Sequence, residues 1–131
     1  MKILFICDGN VARSQEAEIF LNDLSGGSHT ATSAGVNPKI GKPIDPLVVK
    51  VMKELGFSMD ERIRKAIDES TVADADMIIS FKPASELPDF VRHHGNIQYW
   101  DVADPARQSL QFHRHIRDLV KAKVESLLAK I

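Results

Sequence analysis

The chain has 131 residues, 44% hydrophobic and 27% charged, with a net charge of −1. That length predicts one domain over residues 1–131 with room for a proper core, and the absence of any basic block excludes nucleic acid as the implied partner. No apolar stretch approaches a membrane span, Met1 leads straight into an apolar run without a leader-like segment, and a single cysteine excludes an internal disulfide, so a cytoplasmic monomer is expected.

Lys2-Ile3-Leu4-Phe5-Ile6 predicts a short buried strand. Cys7–Ser14 follows as a turn, and Gln15–Leu24 carries Ala17, Phe20, Leu21 and Leu24 at helical spacing. Ser25-Gly26-Gly27-Ser28 stops that helix. His29–Gly35 reads as a second strand, and the Pro- and Gly-punctuated segment Val36–Pro43 as a connecting loop on the rim of any site. Asp45-Pro46 opens a second helix as N-cap and N1, with a core face of Val48, Val49, Met52 and Leu55, and Gly56 ends it. Phe57–Lys65 is polar and weakly patterned. Its Arg62, Arg64 and Lys65 are either a solvated face or cations that draw in an anion.

Asp76–Phe81 predicts a third strand buried on both sides, and Ile97–Trp100 a fourth. A last helix is expected from about Arg107, with a stripe of Phe112, Ile116, Leu119, Val120, Val124, Leu127 and Leu128. His93 and His94 are adjacent, and His113 and His115 lie two apart on a helix, so each pair diverges and no metal site is expected. Strands alternating with helices give an α/β fold: a three-layer sandwich with a four-stranded parallel sheet and helices on both faces.

The chemistry concentrates in the first turn, Cys7-Asp8-Gly9-Asn10-Val11-Ala12-Arg13-Ser14. A loop that wraps onto a helix N-terminus aims several unpaired backbone N–H groups at one spot, and the helix dipole adds positive charge there. Such a nest holds a tetrahedral oxyanion. Gly9 and Asn10 tolerate the positive φ that a curled loop needs. Arg13 brings a planar fork for two anionic oxygens. Cys7, at the floor of the nest, sits where positive potential favours its thiolate, and Ser14 is placed to hydrogen-bond the sulfur. A thiolate facing a bound phosphoryl group is a nucleophile in place. The plainer alternatives are a buried cysteine acting as a small hydrophobe and a solvated arginine.

Cys7-x5-Arg13-Ser14 directly after an N-terminal strand resembles the low-molecular-weight protein tyrosine phosphatases and the related arsenate reductases. The likeness extends through Ser14-Gln15, Ala17-Glu18, Ser33-Ala34-Gly35 and Trp100-x3-Asp104-Pro105-Ala106. The resemblance implies strand order 2-1-3-4, with the Cys7 loop at the carboxyl end of a central strand. It also implies that Ser33 holds Asn10 in a strained conformation, and that Asp104 is the acid that protonates a leaving oxygen and later activates water. Read without the resemblance, Asp-Pro is equally a helix opening, in which case Asp101 would be the substitute acid.

Three positions depart from the family pattern. Ala106 stands where an aromatic packs against a tyrosine ring, Ala12 replaces a second loop cysteine that protects against oxidation, and Asp8 places an acid inside an anion-binding loop. The cysteine pair that thioredoxin-coupled arsenate reductases carry near 82–90 is also missing. The expected activity is a cofactor-free, cysteine-dependent phosphomonoesterase acting on a phosphorylated protein or a small phosphomonoester. The alternatives are an arsenate reductase that takes arsenate plus an external thiol donor, and a phosphate-binding regulator without chemistry.

Overall fold

A computed structural model describes all of residues 1–131. The first strand, β1 (Lys2–Cys7), is buried from Ile3 onward. Because strand side chains alternate between faces, Ile3, Phe5 and Cys7 enter one apolar cluster, while Leu4 and Ile6 enter another on the opposite side. β2 (Thr30–Gly35), β3 (Met77–Ser80) and β4 (Ile97–Tyr99) complete a fully parallel sheet of order β2-β1-β3-β4.

The larger cluster lies under α1 (Arg13–Leu24), α2 (Pro46–Lys53) and α5 (Leu110–Leu128). The smaller one is covered by α3 (Glu69–Asp74) and α4 (Asp89–Arg92), with Val72, Leu87 and Val91 packing on Leu4, Ile6 and Ile78. Helices therefore cover both faces, and each fully buried Ile, Leu or Phe in the central strands contributes about 1.5–3 kcal/mol. Carboxyl ends of β1 and β3 meet at one edge of the sheet, where an open parallel sheet binds ligands.

Several expected boundaries move, each for a local reason. α1 starts at Arg13, two residues before the expected start, so the second half of the turn is already helical. Leu24 is 41% exposed, because α1 turns Glu16 and Gln15 toward the protein instead. In α2 the buried residues are Val48, Val51 and Met52. The helix ends at Lys53, so Leu55 falls beyond it and is 39% exposed. α5 begins at Leu110, not Arg107, because Ser109 is its cap: Ser109 Oγ accepts from the Phe112 N–H at 3.1 Å. Phe112, Leu119 and Leu128 sit at the edge of the core, not within it. The short helices α3 and α4 lie in stretches with no helical periodicity to announce them.

Candidate active site

Asn10 has φ +53, the left-handed conformation that lets the loop curl back over the end of β1. Both halves of its side-chain amide hold it there. Nδ2 donates to Ser14 Oγ at 2.9 Å and to Ser33 Oγ at 3.0 Å, while Oδ1 accepts from Lys65 N at 2.8 Å and Gln15 Nε2 at 3.1 Å. Ser33 in turn donates to Glu18 Oε1 at 2.7 Å, and Glu18 is paired with Arg62 and Lys65. The expected Asn10–Ser33 contact is thus present, embedded in a buried network. Arg62 and Lys65 are engaged in that network through Glu18. Gly35 completes the support, since a Cβ there would lie 2.7 Å from Asp8 O and 2.9 Å from Asn10 N.

The loop so held leaves its amides free. None of the N–H groups of Gly9, Asn10, Val11, Ala12, Arg13 and Ser14 donates to an acceptor within the protein. Unpaired donors at a helix N-terminus are able to hold an oxyanion. Cys7 is buried at its base, with Ser14 Oγ 2.8 Å from its sulfur.

Arg13 is buried, not a solvated helix residue. Its Nη1 donates to Val102 O at 2.9 Å and to Phe81 O at 3.4 Å, its guanidinium stands 5.8 Å from the Phe81 ring centre, and Nη2 lies 3.6 Å from Asp104 Oδ2. The segment after β4 and the nest are therefore tied together through one guanidinium. Asp104 caps no helix. Its Oδ1 accepts from Ala106 N at 3.0 Å, while α5 begins beyond it under the Ser109 cap. Asp104 lines the cavity above Cys7, and Asp101 does not.

Asp8 turns its carboxylate toward Lys82 Nζ at 3.0 Å and Asn37 Nδ2 at 3.2 Å. Partial burial would raise its pKa, but the hydrogen bonds and charge of Lys82 and the bond from Asn37 outweigh this and hold it below the ordinary value. Lys82 also bridges to Glu86 at 3.1 Å, and these acids raise its pKa against the opposing effect of burial.

The cavity over the nest measures about 290 Å³. Lys39, from the loop expected on the rim, and Arg64, one of the three cations read as either solvated or anion-attracting, contribute to its wall, together with Arg107 and His113, which were not expected as site residues. His113 is buried and neither ring nitrogen has a hydrogen-bond partner. Its position was readable in principle, since the stripe Ile116, Val120, Val124 extends back one turn to residue 113. No group of three or more His, Cys, Asp or Glu side chains is arranged to hold a metal ion. His94 instead serves the backbone, with its nitrogens at Ala75 O and Asn96 N. No helix is long and apolar enough to cross a membrane.

Comparisons with known proteins identify the family and the fold. The chain is 32% identical to the glutaredoxin arsenate reductase of Synechocystis sp. over 131 residues, covering 99% of this chain and 98% of that protein. It is 28% identical to the probable low molecular weight protein-tyrosine-phosphatase EpsP of Ralstonia nicotianae, covering 98% and 94%. The crystal structure of a low molecular weight protein tyrosine phosphatase from T. tengcongensis superposes with a TM-score of 0.91 at 27% identity, covering 100% of this chain and 99% of that one. The model of the family described as low molecular weight phosphotyrosine protein phosphatase matches residues 2–131, and the chain belongs to that family of enzymes.

Proposed function

We propose that this protein is a cysteine-dependent phosphomonoesterase that works through a phosphocysteine intermediate. The observation that carries the reading is the ring of six unpaired loop amides around a buried cysteine, closed by a buried arginine. In the first step the Cys7 thiolate attacks phosphorus, forming a sulfur–phosphorus bond as the ester oxygen leaves. The loop amides and Arg13 stabilise the equatorial oxygens, an effect worth on the order of 10²–10³-fold per donor in comparable sites. Asp104 gives its proton to the leaving oxygen, a contribution of about 10²–10⁴-fold. Water then attacks the phosphocysteine, Asp104 takes its proton, and inorganic phosphate and the Cys7 thiolate are released. Ser14 supports the sulfur in its anionic form at both ends of the cycle. A reducing, cytoplasmic setting belongs to this reading, since Cys7 has no second cysteine to protect it.

The test is hydrolysis of a chromogenic aryl phosphate by wild type and Cys7→Ser in reducing buffer without metal. Wild type turns over, while Cys7→Ser loses turnover and still binds phosphate or vanadate. Full activity in Cys7→Ser overturns the mechanism.

A second reading is supported by the relative at 32% identity, which is named an arsenate reductase. Arsenate has the shape and charge of phosphate and fits the same nest. With one cysteine, the arseno-cysteine adduct would pass to an external thiol to release arsenite, so arsenite appearing only when such a thiol is added favours this reading. Asp8, the acid in the loop that would favour a non-catalytic phosphate binder, is paired with Lys82 at 3.0 Å.

A further inference from the structure

The charges around the cavity mouth are unequal in their partners. Asp8 is bound by Lys82 and Asn37, and Asp104 by Arg13 and the Ala106 N–H. Asp45 accepts from Leu47 N as the cap of α2. The three acids are thus all engaged. The cations of the mouth itself are not. Neither Lys39 nor Arg107 makes an ion pair, and Arg64 donates only to Pro43 O, leaving its buried Nε with no partner.

Two further observations point the same way. Arg107 has φ +61, a left-handed conformation that costs a non-glycine residue about 1–2 kcal/mol and that clusters at ligand sites. No Phe, Tyr or Trp side chain lines the cavity; beside Asp104 the wall is the methyl group of Ala106. A leaving group entering here finds cationic hydrogen-bond donors, not a stacking platform. A volume of about 290 Å³ lies at the small end for ligand pockets, enough for a phosphoryl group and a compact leaving group.

We propose that Arg64, Lys39 and Arg107 form a second anion subsite, which selects small phosphomonoesters whose leaving group carries its own carboxylate or phosphate. The proposal deepens the phosphatase reading and rests on it for the placement of the reacting phosphoryl group on Cys7. Arg64 is suited to a planar carboxylate because its guanidinium presents donors in a fixed fork. Lys39 and Arg107, more exposed, add attraction that salt screens.

The test compares binding of 4-carboxyphenyl phosphate and its neutral counterpart 4-carbamoylphenyl phosphate to the Cys7→Ser protein, which holds each ester without cleaving it. The carboxylate ester is expected to bind about tenfold more tightly at low salt, a factor that shrinks toward unity at about 0.5 M salt. Adding Arg107→Ala or Arg64→Gln is expected to lower that preference by about two- to fivefold each. Arg107→Ala changes an exposed side chain, so the test does not depend on the Arg64 variant folding. Equal binding of the two esters at low salt, or a preference that neither substitution changes, overturns the subsite. A preference confined to phosphopeptides with flanking acids overturns the assignment to small esters. Turnover of the neutral ester by wild type reads the phosphatase mechanism separately, so a failed hydrolysis with an intact binding preference sinks the mechanism and leaves the subsite standing.

Discussion

Replacing Glu16 with glutamine isolates a titration that the fold builds into the first helix. Glu16 is fully buried on α1, and neither carboxyl oxygen has a hydrogen-bond partner. Burial penalises the charged form and pushes its pKa from 4.5 up to about 8, against the opposing pull of Arg117 and Arg13 and with a small push from Asp118. Between those two values the native state keeps a proton that the unfolded chain has released. Native protein therefore binds more protons in that window, and stability falls as pH rises from about 4.5 to about 8. At about 1.36 kcal/mol per pH unit the full separation corresponds to about 5 kcal/mol, a large share of the 5–15 kcal/mol that holds a typical domain together.

Glutamine keeps the shape and removes the titration. Urea unfolding of wild type and Glu16→Gln at several pH values from 5 to about 9 should give curves that diverge with rising pH. The variant gains on wild type by up to about 1.4 kcal/mol per pH unit and levels off above pH 8. Taking the difference between the two proteins cancels every titration they share. Curves that run parallel across the range would refute the reasoning, because they would mean that Glu16 ionises in the native state as easily as in the unfolded chain.

Asp104→Asn should slow esters of weakly acidic phenols by about 10²–10⁴-fold and those of strongly acidic phenols much less; equal losses across a leaving-group series would remove Asp104 from proton transfer. Gly35→Ala drives a methyl group to within 2.7 Å of the Asp8 carbonyl, so a loss of about 1–3 kcal/mol in denaturant unfolding and weaker phosphate binding are expected, whereas wild-type values for both would mean the loop yields freely. Lys82→Met leaves Asp8 with Asn37 alone, so the inhibition constant for inorganic phosphate should rise several-fold, by about 1 kcal/mol, and the Asp8 pKa should rise toward its ordinary value. An unchanged constant would place the Asp8 charge outside the reach of the nest.

What the sequence makes legible here is whatever is carried by neighbours along the chain. The nest is one continuous segment, so Cys7, Asn10, Arg13 and Ser14 can be read from spacing and from the strand before them. Asp104 and Ser33 lack such local proof, and their contacts with Arg13 and Asn10 come from the sheet order that brings β1, β2 and the segment after β4 to one edge. The errors fall where polarity and burial part company. A hydropathy pattern assigns Leu24 to the core and Glu16 to solvent, yet α1 packs with the reverse arrangement because Gln15 and Glu18 bind the network behind the loop. His113 stands in the α5 stripe for the same reason: helical phase, not polarity, puts it inside.

Asp8 shows how a charge that a local rule disfavours can be accommodated by the fold. An acid within an anion-binding loop opposes the charge the loop is built to hold, and the nearby Arg13 offsets it only in small part. The main offset comes from Lys82, which is 74 residues away and follows β3, the strand hydrogen-bonded to β1. Strand pairing fixes the ends of β1 and β3 side by side, so the ammonium meets the carboxylate without any change to the loop itself. Glu86, four residues beyond Lys82, also pairs with the ammonium at 3.1 Å. The loop keeps its six free amides for the oxyanion, and its one misplaced charge is absorbed into a bridge that fastens the loop to the next strand. Asp8 therefore acts as a tether of the nest, which is a reason for an acid to stand at that position.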